Sequence, residues 1–310
     1  MINLIKNENM KIFKRKRTWI MIGVMVVFIF IQFLNVKLSS QVNYGDDWKT
    51  SLIEENALLQ VEKESLKLPI EKIENEKKLL LNNYYIDSNI KPTNNAWFFT
   101  IGQSTNFLIA ISILTLIIAG EIVASEFQSG TIKFLLTRTA TRTQIYFSKY
   151  ISTLLFGFFL IVMTFLLSIL FSGILLGFDG INGEYLFVKD HAVQKTSFLQ
   201  ALIGSLLFKI PYLIIVATLA FMISAAFKST TFSIVFSLLV AIAGFVMSIS
   251  LKGFSWTKYF IFSHTDLSSF VYENPPVEGM TFSFSILFIL IHIFIMHGIA
   301  YPIFVKKDVA

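Results

Sequence analysis

The sequence contains no cysteine. That excludes a disulfide framework, a thiolate metal site, a cysteine nucleophile and a lipid-bearing cysteine. Catalytic signatures are also missing. There is no G-x-x-x-x-G-K-[ST] loop, so the chain has no P-loop for ATP, and neither an H-E-x-x-H zinc helix nor a G-x-S-x-G elbow occurs. Histidines number four: His191, His264, His292 and His297. The last two share one apolar stretch, but a five-residue step turns about 140° around a helix, so they do not face one ligand. An intramembrane enzyme would have only His292, His297 and Glu121 as raw material. No catalytic, cofactor-binding or metal site is therefore expected in this chain.

What the chain has in abundance is apolar surface. Of its 310 residues 55% are hydrophobic, 33 are Phe and only 15% are charged; the mean hydropathy is +0.67. Soluble domains rarely reach this, and the composition implies a polytopic membrane protein. About 20 apolar residues cross a bilayer core. Six runs qualify: 18–36, 96–119, 150–178, 210–227, 229–251 and 282–305. The first follows a basic N-terminus, as a signal peptide would, but it is long for such a segment and no A-x-A site follows, so it reads as a retained first span. The third is long enough to tilt or protrude. The fourth opens Lys209-Ile210-Pro211, with Pro in a first helical turn and Lys209 near the interface. A fourth span beginning near Phe198 would bury Lys209, which is expensive unless the lysine is paired. Gly173-Ile-Leu-Leu-Gly177 is a G-x-x-x-G that permits close helix approach, inside the chain's own bundle or between subunits.

Six spans place both termini on one side. With the N-terminus inside, the inner segments carry a net +9 and the outer ones −3, the positive-inside pattern, so the expected topology is N-in, C-in. The expected fold class is all-α: six transmembrane helices, an outer helical hairpin and a cytoplasmic coupling helix. The domain reading divides the chain into 1–36, the inner segment and first span; 37–95, an extracytoplasmic insertion; and 96–310, the remaining five spans. In the insertion, Leu52, Leu59 and Leu66 recur every seven residues, Pro69 interrupts, and Ile70, Ile73, Leu80 and Leu81 resume the pattern. That predicts two amphipathic helices hinged at Pro69, either a solvated hairpin packed on the span ends or a cap that senses substrate or partner.

One inner loop stands out. EFQSGTIKFLLTRTATRTQIYFSK (126–149) carries Lys133, Arg138, Arg142 and Lys149 and no acid after Glu126. Gly130 relaxes the backbone, and Ser129 or Thr131 can N-cap a new helix. Ile132, Leu135 and Leu136 at i, i+3, i+4 form one apolar stripe, and Arg138 and Arg142 suit a helix C-terminus. The loop predicts a short surface helix followed by a turn into the third span at Lys149-Tyr150. By composition it is either a lipid-contacting, topology-setting element or a docking site for a cytoplasmic motor.

Glu126-x-x-x-Gly130-Thr131-Ile132-Lys133-Phe134-Leu135-Leu136-Thr137-Arg138, then Arg142 and Ser148-Lys149-Tyr150, resembles the signature of the ABC-2 type permeases. There an E-x-x-x-G-T step leads into a leucine-rich coupling helix, and a P-x-x-R element and a K-[YF] entry to the next span follow. Ile223-Ser224-Ala225-Ala226-Phe227-Lys228-Ser229 is similar to the turn between the fourth and fifth spans of such permeases. The chain departs from the pattern where Thr139-Ala140-Thr141 replaces the usual Pro before Arg142, which makes a less rigid turn. The resemblance implies a transport permease, not an enzyme, in a bacterial cytoplasmic membrane. Two six-span subunits would pair with two ATP-binding chains that carry the ATP and Mg, in contact with lipid and without nucleic acid. It implies that Ile132, Leu135 and Leu136 pack against the motor. Glu126, Gly130, Thr131, Arg138, Arg142 and Lys149 would complete the coupling element, with Glu121 and Lys228 as inner-end support. Few charges in the spans suit an apolar or amphipathic cargo, a peptide, antibiotic or lipid-like compound, moved outward. The rival reading is a sensor or anchor that presents 37–95 without transport.

Overall fold

The computed structural model describes residues 1–38, 45–66, 69–92, 95–131, 140–227, 229–252 and 254–306. Among them six helical segments are long and apolar enough to cross a membrane: Lys16–Leu38, Ala96–Gln128, Arg142–Leu176, Phe198–Phe227, Thr230–Ser250 and Phe282–Val305. The protein is a polytopic, mostly helical membrane protein. The helices, in order, are α1 (Ile2–Lys14), α2 (Lys16–Leu38), α3 (Trp48–Ser65), α4 (Pro69–Asp87), α5 (Ala96–Ile122), α6 (Ala124–Gln128), α7 (Arg142–Leu176), α8 (Phe198–Leu207), α9 (Ile210–Phe227), α10 (Thr230–Ser250), α11 (Ser269–Tyr272) and α12 (Phe282–Lys306).

Helix α5 is the hub. It packs against α7, α9, α10 and α2, and its buried positions include Thr100, Ser104, Phe107, Ile111, Thr115, Ile118 and Ile122, a run of three- and four-residue steps. Two hydroxyls on this apolar helix are absorbed locally: Thr100 and Thr115 donate to carbonyls one turn back at 2.8 Å. The Asn95 side chain caps the helix start by accepting from the Phe98 amide at 2.9 Å.

Three boundaries differ from those read in the sequence, each for a local reason. The third span begins at Arg142, eight residues before the expected Tyr150. A capping box starts it: Thr141 accepts from the Gln144 amide while the Gln144 side chain accepts from the Thr141 amide. Arg142 thus opens a helix and does not close one. The 35-residue α7 is about 52 Å long at 1.5 Å per residue, so it protrudes well beyond a core of about 30 Å. The second span continues past Ala119 to Ile122 and, after a break at Val123, through α6. The fourth is preceded by α8, so helix flanks Lys209 on both sides; the lysine is half-buried and paired with the hydroxyls of Ser104 and Thr105 at 3.0 and 2.6 Å.

The helical fold carries one small sheet that the sequence reading did not foresee. Glu184–Lys189 (β1) and Ala192–Ser197 (β2) form an antiparallel hairpin in the register Glu184↔Ser197 to Lys189↔Ala192. Its two-residue turn, Asp190-His191, has both φ positive, at 51° and 58°, the primed geometry that matches strand twist. The aromatic and β-branched Tyr185-Leu186-Phe187-Val188 run suits a half-buried strand. The hairpin lies against α4 and α11, with Phe187 edge-on to Tyr272 at 5.4 Å. Gly173 of the G-x-x-x-G serves its own chain: a Cβ there would meet the Phe178 ring at 2.0 Å.

Helices α3 and α4 lie side by side through a mixed seam. Leu52 and Leu59 are buried in it, and between them Asn56 donates to Asn83 at 2.8 Å and accepts from Asn82 at 2.9 Å. This pair meets the sheet and the 266–278 segment at one end of the bundle, where Glu273 receives Lys77 at 3.2 Å and Lys252 at 3.3 Å. Burial alone would raise the Glu273 pKa, but the charges of Lys252 and Lys77 prevail and hold it below the usual 4.5. A depressed carboxylate stabilises the fold fully above its unfolded value and loses that effect as pH falls through the folded one. The thermal stability of wild type should therefore exceed that of Glu273→Gln at neutral pH, and the gap should close as pH drops below 4.5. A gap that is constant with pH would break the assignment.

Candidate functional site

At the other end of the bundle α6 ends and α7 begins, and the N-terminal helix closes over both. Helix α1 lies along the first half of α7. Phe13 packs on Phe156 and Phe159 with ring centroids 5.9 and 5.3 Å apart, and Ser152 donates to the Ile5 carbonyl at 3.3 Å. Its C-terminal end is held by Thr18 and Trp19, which donate to the carbonyls of Ile12 and Phe13, satisfying orphan groups of the last turn.

This docking brings Glu8 and Lys11 onto Glu126 and Lys149. Lys149 is fully buried. Its Nζ donates to Glu8 Oε2 at 2.9 Å and to the Ile122 carbonyl at 3.2 Å, and it forms an ion pair, outside hydrogen-bond geometry, with Glu126 Oε2 at 2.8 Å. The Ile122 carbonyl is available because α5 breaks there; on the far side of the break the Ala124 amide donates to Ser224 Oγ at 3.0 Å. Lys11 takes the remaining carboxylate oxygens, Glu8 Oε1 at 2.7 Å and Glu126 Oε1 at 2.9 Å. Two cations and two anions alternate around a closed square with no net charge. Burial by itself would raise the Glu8 pKa, yet Lys149 and Lys11 pull it below its ordinary value. Lys11 shifts upward: burial opposes its charge, and Glu8 and Glu126 more than offset that.

A second cluster lies beside the square. Glu121, 3% exposed at its side chain, receives both Arg15 and Arg17 on one oxygen. The arginines are 35% and 49% exposed, so they can turn toward water or anionic headgroups if released. Glu121→Gln should therefore cost only about 1–2 kcal/mol; a Tm loss as large as that caused by removing Lys149 would refute this asymmetry.

Of the residues singled out in the sequence, Glu121, Glu126 and Lys149 come together here. Glu126 and Lys149 face inward, so neither is an exposed polar contact, and Lys149 sits within α7 and not at its mouth. Arg142 donates to the Val305 carbonyl at 2.6 Å, which ties the loop's return to the end of α12. Gly130 has φ +70° and follows the C-cap of α6, a helix-ending role. Ser129 Oγ donates to the Ser125 carbonyl at 2.8 Å, and Thr131 Oγ1 reaches the Glu126 carbonyl at 3.5 Å; the helix that either was expected to cap lies outside the described residues. Ile132, Leu135, Leu136 and Arg138, with the proposed coupling helix, and Lys228 lie outside the described residues.

Glu8 and Lys11 are the residues that sequence reasoning missed. Their signal was present: Glu8 is the one acid in a basic segment, and it falls one turn before Ile12 on the buried face of α1. The late histidines are absorbed separately. His297 Nδ1 meets Tyr146 Oη at 2.7 Å, while His292 Nδ1 meets the carbonyl of Phe288, one turn back, at 2.8 Å. Among the described residues no three His, Cys, Asp or Glu side chains group as a metal site.

A family described as "Protein of unknown function (DUF2705)" matches residues 70–310. The chain is 35% identical to "Uncharacterized protein YhcI" of Bacillus subtilis over the full length of both. It is 29% identical to "Uncharacterized membrane protein YdbK" of the same organism, over 65% of this chain and 78% of that protein.

Proposed function

For a chain that belongs to the DUF2705 family, we propose the role of permease subunit of an ABC transporter in a bacterial cytoplasmic membrane. A separate cytoplasmic ATPase drives it, and the cargo is apolar or amphipathic and exported. The observation that carries this reading is the buried square at the loop roots. Glu126 ends one helical segment and Lys149 lies two turns into the next, and they bind each other and α1 directly. A loop anchored in this way transmits a push to the second and third spans and to the N-terminal helix as one body. A loosely tethered loop would absorb the push in its own bending.

The permease signature in the same segment supports this reading, and the positive-inside charge pattern favours a cytoplasmic side for this segment, the N-terminus and the C-terminus. Helices α3 and α4 and the β-hairpin then face outward. The chain acts as a homo- or heterodimer with a second permease subunit. The test is co-purification. Expressed with its neighbouring reading frames and extracted in mild detergent, the protein should bring down a P-loop ATPase in near-equal amount. Recovery without any nucleotide-binding chain, from cells that make one, would overturn the permease reading in favour of a sensor or anchor.

A further inference from the structure

The break between α8 and α9 sets a cation against an apolar cavity far from the ion-pair square, and we propose that this is a binding site for the acidic head of an anionic amphiphile. The break is fixed in place: the Phe208 carbonyl accepts from the Leu267 amide at 2.9 Å. It aims Lys209 at α5, where the ammonium donates to Ser104 Oγ at 3.0 Å and Thr105 Oγ1 at 2.6 Å. Both partners are neutral. Among the described residues no carboxylate pairs with Lys209. An ammonium has three N–H groups, and two hydroxyls occupy two of them. A half-buried cation of this kind calls for an anion, because two neutral hydroxyls offset only part of its desolvation.

The space beside it fits that need. A cavity of about 180 Å³ opens at Lys209, with one wall formed by Leu108, Ile109, Tyr212, Phe245, Ile249 and Phe262 and a polar rim that includes Lys252, Asp266 and Glu273. Since a water's share of the liquid is about 30 Å³, this is room for a carboxylate or phosphate and a few methylenes, not for a whole lipid. The wall ends at Ile249, exposed on α10, where an alkyl chain would continue among lipid tails. The two acids on the rim are already engaged. Asp266 accepts from the Ser268 amide and hydroxyl, and Glu273 sits between Lys77 and Lys252. Lys209, Lys252 and Lys77 exceed Asp266 and Glu273 by one positive charge, and that excess beside the apolar wall selects an acid with a hydrocarbon chain. The site stands whether or not the chain transports anything.

The test uses the full-length protein in nanodiscs of phosphatidylcholine. The probe is a dansylated eleven-carbon fatty acid, compared with its methyl ester. The acid should bind about tenfold more tightly than the ester; Lys209→Met should erase that preference and Lys209→Arg should keep it. Ser248→Phe, which fills the cavity and leaves the lysine, should weaken both probes. Displacement by lauric acid or by dodecyl phosphate supports the site, and the stronger of the two identifies a carboxylate or a phosphate source. Displacement by inorganic phosphate alone, as effective as by dodecyl phosphate, overturns it. So does equal binding of acid and ester to the wild type, a result that requires no variant to fold.

Discussion

Lys149→Met should be the most damaging single substitution at the loop roots, at about 3–5 kcal/mol, because it leaves buried carboxylates short of a cation. Glu8 and Glu126 would share Lys11 alone, and Lys11 is 43% exposed at its side chain, a weaker partner. The Ile122 carbonyl would lose its donor as well. For a chain of this size the expected fall in Tm is roughly 6–10 °C, measurable by fluorescence-detected gel filtration after heating in detergent. Charge balance predicts the rescue. Glu8→Gln with Lys149→Met leaves one lysine and one carboxylate, and it should recover much of the loss. The resulting coupling energy should be about 2 kcal/mol. If the double variant is as unstable as the sum of its parts, the square is a set of independent contacts and not a balanced unit.

The spans were legible because their signal is local. Twenty apolar residues announce a crossing wherever the partners are, and all six runs became helices. The amphipathic pattern around Leu52 and Leu59 likewise described α3 before anything packed on it. What could not be read was long-range. Lys149 beside Tyr150 looks like an interfacial entry residue, since nothing within ten positions marks it as buried; its partner Glu8 is 141 residues away. Glu126 was read as part of the coupling element, and nothing near it announced its contacts with Lys11 and Lys149. The β-hairpin escaped because a charged, short segment in a hydrophobic chain reads as a connection, although its first strand is an aromatic and β-branched run. Lys209 is the instructive middle case. The sequence stated the condition for a longer helical run, a partner for the lysine, and Ser104 and Thr105 provide one that no pattern near residue 209 reveals.

The burial of Glu126 also sharpens the permease test. On that reading, partner recognition falls to residues of the loop outside the square: the stripe Ile132, Leu135 and Leu136, and Arg138. Leu135→Arg with Arg138→Glu should abolish recovery of the ATPase, reducing it at least tenfold, since a cation replaces an apolar contact and an anion replaces a cation. The protein itself should still accumulate, with a Tm near wild type, because the change touches none of the paired groups at the roots. Glu126→Gln should behave in the opposite way. It unbalances the square and lowers Tm, while an ATPase that binds the stripe should still be recovered from whatever protein folds. The two readouts therefore separate docking from anchoring. Intact pull-down by the Leu135 and Arg138 variant would remove the loop as the docking element. Loss of pull-down by Glu126→Gln at unchanged Tm would place that carboxylate in the contact and contradict its assignment to the square.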